Sequence, residues 1–280
     1  MGMGDQIREW AALFGLARRR KCATLTLMRT YVACVGLIVL VGCFTLVVIP
    51  EDPPAPKELL FGSGRPTVVI DAGHGGNDEG AKCKGVYEKD LTLNLAFRLD
   101  RILRERGFPT VLTRTSDRYV PLADRVAVAN DLDTPAVFVS IHFNQGSEKY
   151  VNGIETFYAA FKAPHPKDWT WVGFFDRNSG EESSDLGQAL AADVQACVTQ
   201  NTGARNRGFR GRDLYVTRNT RVPAILVEGG FITNPNEAHE LCTDEYANKL
   251  AEGIVDGVVK WYESQPGAHT PPAQLANASR

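Results

Sequence analysis

Apolar positions along this chain recur with two periods, and the switches between them mark out its elements. Thr67–Asp71 reads TVVID, a short β-branched run that predicts a strand. Leu91, Leu95, Leu99, Ile102 and Leu103 then recur three and four positions apart until Gly107, which predicts a helix from about Leu91. TVLTR follows as a strand, PLADRVAVAND as a helix, the fully apolar AVFVSIHF as a buried strand and GIETFYAA as another. Leu186 to Val198 returns to helical spacing, and DLYVT and AILVE complete the strands. Leu250, Ile254 and Val258 line one face of a last helix that Trp261 closes. Strands alternating with helices predict an α/β fold, a single domain whose mostly parallel or mixed sheet is flanked by helices on both sides. In such folds ligands gather at the carboxyl ends of strands.

The N-terminal segment breaks this pattern. Tyr31 to Ile49, YVACVGLIVLVGCFTLVVI, carries no charged residue and is long enough to span a bilayer. Arg18, Arg19, Arg20, Lys21 and Arg29 precede it and Glu51 and Asp52 follow, so the positive-inside rule places the N-terminus in the cytosol and the rest outside. A retained single-pass anchor ranks first, because no AxA-like site closes the apolar run and six apolar or small residues continue past Cys43. A lipoprotein signal ending in LVGC at Cys43 ranks second, ahead of a cleaved signal peptide. The expected organisation is a basic cytoplasmic N-terminus at 1–30, the membrane segment at 31–49, a proline-rich linker at 50–65, one catalytic domain at 66–263 and an aperiodic tail at 264–280. Localisation follows: the cell envelope, with the domain on the outer face of the inner membrane.

Composition narrows the function. The net charge of −2 and the lack of a basic cluster outside the N-terminal segment give a nucleic-acid partner no support. Of the six cysteines, only Cys83, Cys197 and Cys242 lie in the exported domain, with no CxxC pair, so neither a cysteine metal site nor a disulfide framework is signalled.

The candidate chemistry sits at strand ends. His74 lies in DAGHGG after the first strand, His142 ends VFVSIHFN, and Glu228 ends AILVE before two glycines. Glu88, in GVYEKD, falls just before a helix, where an acidic residue is also a routine partner of the helix N-terminus. Two imidazoles and a carboxylate are a ligand set for catalytic Zn²⁺ that leaves a position for water, and a further carboxylate can take that water's proton. A carboxylate ending an apolar strand needs such a reason to be there. These residues predict a zinc hydrolase.

DAGHGG, Glu88, SIHFN, GIETFY and LVEGGFITN, in this order and spacing, resemble the motif series of zinc-dependent N-acetylmuramoyl-L-alanine amidases, the bacterial cell-wall hydrolases of amidase type 3. The resemblance covers nearly the whole exported domain. It implies a six-stranded mixed sheet, one zinc ion held by His74, Glu88 and His142, and Glu228 as the catalytic glutamate. The reaction it implies is cleavage of the amide between the lactyl group of muramic acid and the first L-alanine of the peptidoglycan stem. Asn144 and Glu155 fall on motif positions and are expected to bind substrate or steady the site. Arg114 and Asp117 in TRTSD, with Arg125, also resemble recurring positions, read here as a buried ion pair joining loop to helix. Arg210 and Arg212 in NRGFRGRDLYVTR are candidates for meeting stem carboxylates, against the plainer expectation of solvated surface charge.

The segment 161–183, with Trp169, Trp171, Phe174, Phe175 and His165, is expected as a loop flanking the groove, its aromatics either stacking on substrate or packing on the domain. Two other functions compete. A silent wall-binding module would lack Glu228, and a zinc peptidase or deacetylase would carry an HExxH helix, which is missing. Peptidoglycan or muropeptides, the membrane through residues 31–49 and an activator protein are the expected partners.

Overall fold

The computed structural model describes residues 64–161, 178–266 and 268 of the chain; the membrane segment 31–49, nearly all of the linker and most of the aromatic loop and tail lie outside them. Among the described residues no helix is long and apolar enough to cross a membrane.

The elements run β1 (Thr67–Ala72), β2 (Lys82–Cys83), β3 (Val86–Tyr87), α1 (Glu88–Glu105), β4 (Thr110–Leu112), α2 (Leu122–Asn130), β5 (Ala136–Asn144) and β6 (Ile154–Tyr158). They continue with α3 (Asn178–Thr202), β7 (Asn206–Gly211), α4 (Tyr215–Asn219), β8 (Ala224–Phe231), α5 (Pro235–Leu241) and α6 (Asp244–Glu263). Six strands form one mixed sheet in the order β4-β1-β5-β8-β6-β7. β4, β1, β5 and β8 are parallel, β6 is antiparallel to β8, and β7 is parallel to β6.

Side-chain alternation divides the strands between two unequal cores. Val68 and Ile70 of β1, Val139 and Ile141 of β5, and Ile225 and Val227 of β8 face the larger one, where Leu95 and Leu99 of α1, Leu190 and Val194 of α3, and Ile254 and Trp261 of α6 close over them. Val69, Phe138, Phe157 and Leu226 face the smaller one, which is covered by α2 and the single turn of α4. Those two helices are short, so the strands outrun them. The positions that continue this face toward the strand ends are Asp71, Ser140, His142, Glu155 and Glu228, and the polar chemistry of the molecule is concentrated there.

Four expectations need correction. DLYVT is not a strand: Tyr215–Asn219 forms α4, with Val216 and Thr217 buried against the smaller core. The segment leads into β8, which already has β5 and β6 on its two sides, so it could not pair there, and tertiary context overrode its β-branched propensity. The sixth strand is instead NRGFRG, whose arginines and glycines suit an edge. α1 begins at Glu88 rather than Leu91, because its first turn is occupied by polar residues that leave no apolar period. α3 begins at Asn178, inside the segment expected to be loop up to Ser183.

Candidate metal centre

The turn after β1 is shaped for an imidazole. His74 has φ of 59°, in the left-handed region that a non-glycine residue enters only when its surroundings hold it there. Two buried arginines supply that hold. Arg125 of α2 donates to the carbonyls of Ala72 at 2.6 Å and His74 at 2.6 Å, and Arg114 donates to those of Ala72 at 3.0 Å and Gly73 at 2.8 Å. Gly73 gives the second imidazole room: a Cβ there would lie 2.4 Å from Cε1 of His142.

His74 and His142 face each other edge-on, with ring centroids 4.9 Å apart, and Glu88 reaches both. Its Oε2 lies 3.1 Å from His74 Nε2 and its Oε1 lies 2.9 Å from His142 Nδ1. The backbone N–H groups of Ala81 and Phe143 also donate to it, at 2.7 and 3.0 Å. Burial alone would raise the pKa of this carboxyl, but the hydrogen bonds and positive charge of the two histidines outweigh burial and hold it well below the usual carboxylate range. Burial likewise works against a charge on His74, yet Glu88 and Asp78 more than offset it and its pKa is raised. Asp78 was missed in the sequence. Its Oδ2 lies 2.9 Å from His74 Nδ1, on the side of the ring away from Glu88, and the legible signal was an acidic residue four positions on in a glycine-rich turn.

One ligand atom each from His74, Glu88 and His142 lie within 4.8 Å of one another, and two imidazole nitrogens with a carboxylate oxygen suit zinc. Glu228 stands beside them. It pairs in register with His142 on β5 and with Glu155 on β6, so the three side chains share one row and one face of the sheet. Its Oε2 is buried and has no hydrogen-bond partner among the described residues. Burial pushes its carboxyl up to about 7, with the neighbouring charges of Glu88 and Glu155 adding to the shift and the histidines opposing it. An ionisable group at that value can exchange a proton near neutrality.

The sequence model of the family described as N-acetylmuramoyl-L-alanine amidase matches residues 68–260, which include all four of these residues. The chain belongs to that family.

Family membership makes the chain a peptidoglycan amidase acting at the bond between N-acetylmuramic acid and L-alanine. It is similar to the N-acetylmuramoyl-L-alanine amidase LytC of Bacillus subtilis, with 33% identity over 197 residues, 70% of this chain and 35% of LytC, so it spans about a third of that relative. The crystal structure of an N-acetylmuramoyl-L-alanine amidase from Clostridium difficile 630 superposes with a TM-score of 0.63 at 36% identity, covering 73% of this chain and 100% of that one. The CwlD amidase from Clostridioides difficile, solved in complex with the GerS lipoprotein, gives a TM-score of 0.60 at 25% identity, covering 72% and 100%.

The remaining expected site residues fall into two groups in this amidase. Asn144 and Glu155 meet directly, Asn144 Nδ2 donating to Glu155 Oε1 at 2.7 Å. Arg210 donates to Glu155 Oε2 at 2.6 Å and so is not free surface charge, while Arg212 lies over the Phe157 ring at 5.1 Å. Arg114, Asp117 and Arg125 do not form the expected ion pair with one another. The buried pair is Arg125 with Asp71, at 2.8 Å, and it joins helix to strand. Thr113 and Ser140 donate to the same aspartate at 2.7 and 2.8 Å. Asp117 is exposed and pairs with Lys89 at 2.7 Å. The larger separation in sequence between Asp71 and Arg125 hid that contact.

Proposed function

We propose that the chain hydrolyses the lactyl–L-alanine amide of peptidoglycan as a zinc enzyme, with His74, Glu88 and His142 holding one Zn²⁺ and Glu228 serving as general base and then general acid. When bound, the ion supplies Lewis-acid polarisation of the scissile carbonyl and makes a water easier to deprotonate. Glu228 carries the proton in this reading: it accepts one as water attacks and delivers it to the alanine nitrogen as the amide bond breaks. The observation that carries the reading is the buried, unpartnered Oε2 of Glu228 in one row with His142. A carboxylate is left without a hydrogen bond in such a place at a cost of roughly 1–3 kcal/mol, which a functional role accounts for. Glu88 has no such spare oxygen, since both of its oxygens are engaged. That difference supports assigning the ligand role to Glu88 and the proton-carrying role to Glu228.

The catalytic domain is proposed to act outside the cytoplasmic membrane, held by residues 31–49 as a single-pass anchor, with lipidation at Cys43 as the second reading. A protein partner that activates the enzyme belongs to the same proposal, supported by the lipoprotein complex of the CwlD amidase.

The test incubates the zinc-loaded protein with purified peptidoglycan and resolves products by mass spectrometry. Release of stem peptides with N-terminal alanine is expected. Glu228→Ala is expected to retain zinc and lose release, whereas His74→Ala loses both. Equal zinc loss in the two variants would contradict the division of roles.

A further inference from the structure

The edge strand next to the site carries a one-residue insertion with a chemical consequence. Ile154 pairs with Asn206 and Thr156 pairs with Phe209, so Glu155 alone stands opposite both Arg207 and Gly208. Gly208 takes φ of 84°, which a glycine adopts without strain. In an unbroken strand, Arg207 and Arg210 would point to opposite faces, being an odd number of residues apart. The extra residue restores them to one face, and both reach Oε2 of Glu155, at 3.6 and 2.6 Å.

Arg212, two positions beyond Arg210, shares that face. The guanidinium carbons of Arg210 and Arg212 lie 5.7 and 5.1 Å from the Phe157 ring centre, and that of Arg207 lies 4.9 Å from the Phe231 ring centre. Arg207 and Arg210 are thus oriented by aromatic faces around the carboxylate of the nearly buried Glu155, and Arg212 stacks on the same Phe157 ring as Arg210. Glu155 and, beside Arg207, Glu237 face three guanidinium groups, so one positive charge is in excess, and Arg210 keeps 53% of its side chain exposed to offer it.

Distance connects this patch to the reaction. The backbone of β7 is two strands from Glu228, but the Arg210 guanidinium ends 2.6 Å from Oε2 of Glu155, which is only one strand from Glu228, so that charge stands on the order of 5–10 Å from the general base at about 4.8 Å per strand. An extended peptide advances about 3.3–3.6 Å per residue. A stem whose alanine nitrogen is at Glu228 therefore brings its second residue within reach of Arg210.

We propose that Arg210, backed by Arg207 and Arg212, binds the carboxylate of the stem residue that follows L-alanine, and so makes the enzyme prefer stems with a free carboxylate there over stems in which it is amidated. Glu155 is a positioning residue for this subsite: it fixes Arg210 through one oxygen and Asn144 through the other. The inference rests on the amidase reading above.

The experiment compares kcat/KM of the full-length, zinc-loaded protein on N-acetylmuramoyl-L-alanyl-D-glutamate and on its D-isoglutamine counterpart, which differ only in carboxylate against amide. The free acid is expected to be favoured about tenfold or more, the scale of a charge-assisted hydrogen bond. Arg210→Gln is expected to raise KM on the acid and bring the ratio close to one, and Arg210→Lys, which keeps the charge, to recover part of it. Arg212→Gln, which replaces a guanidinium that pairs with no carboxylate among the described residues, should move the ratio the same way by less. Equal cleavage of both compounds by the unmodified protein overturns the subsite while the amidase reading stands. So does an Arg210→Gln that lowers both alike, the outcome of a purely structural arginine. Cleavage of neither compound by protein that does release stem peptides from peptidoglycan overturns this inference alone, and failure on peptidoglycan as well overturns the zinc-amidase reading with it.

Discussion

Gly73 shows how much of the site depends on an atom that is not there. Its Cβ would sit 2.4 Å from His142 Cε1 and 2.7 Å from the Ile141 carbonyl oxygen, so Gly73→Ala must push the imidazole or the strand aside. Zinc affinity, read by competition with a chromophoric chelator, is expected to fall at least tenfold, about 1.4 kcal/mol, while the far-ultraviolet circular dichroism stays that of the unmodified protein. Glu228 yields a second expectation, on pH. Its pKa is raised to about 7, so in the metal-free protein, between about pH 4.5 and 7, the folded state holds a proton that the unfolded chain has released. Stability must then fall as pH rises through that window. Glu228→Gln removes the titration, and above pH 7 the metal-free variant is expected to exceed the unmodified protein by about 1–3 kcal/mol in urea unfolding. A difference that does not change between pH 5 and pH 8 would count against the buried, proton-holding glutamate. At this scale the sequence was informative where chemistry-bearing residues stand in glycine turns at strand ends, as His74, His142 and Glu228 do. It was silent on Asp78 and Arg207, and it named Glu155 only through its motif position, without the arginines that the fold brings beside it.

Between elements, the contact that fixes the turn carrying His74 is the buried Asp71–Arg125 pair. Asp71 accepts from Arg125, Thr113 and Ser140, and Arg125 spends its other hydrogen bonds on the carbonyls of Ala72, His74 and Val120. Both side chains are almost wholly enclosed, at 1% and 3% exposure, so removing one strands the other without water. Arg125→Met is expected to cost about 3–5 kcal/mol in urea unfolding and to weaken zinc binding with it, because the left-handed His74 loses a support. Asp71→Asn keeps a hydrogen-bond acceptor for the same donors and should cost less. Elements were legible in proportion to their burial. β1, β5, α1 and α6 carry apolar periods that only a core-facing strand or helix would need. The edge strand β7 is recognised by no such period, since its arginines meet solvent, Glu155 and aromatic faces, and DLYVT carries strand-forming residues next to a strand, β8, whose two sides are already taken.

Across the whole molecule, the asymmetry of the two faces explains why the site is where it is. Among the described residues, one face of the sheet is covered by α1, α3 and α6, while on the other α2 and α4 stop short and leave the strand ends as a surface where polar groups from β5, β8 and β6 stand together. The described residues close over two cores of their own, and residues 64–266 are expected to unfold cooperatively and to cleave soluble muropeptides. On the proposed reading, the apolar segment 31–49 sets where cleavage happens. If it is a retained anchor, the full chain should fractionate with membranes and resist extraction by carbonate, its mass should include Met1 or Gly2, and residues 64–266 should be fully soluble with unchanged kcat/KM on a soluble muropeptide. Activity on intact wall should differ between the two forms, because an anchored enzyme meets only the wall nearest the membrane. A mature chain that begins at a lipid-modified Cys43 would replace the anchor by lipidation and leave the rest of this expectation intact. A mature chain that begins between Ile49 and Arg65 would remove the membrane tether altogether and make the enzyme a freely diffusing one.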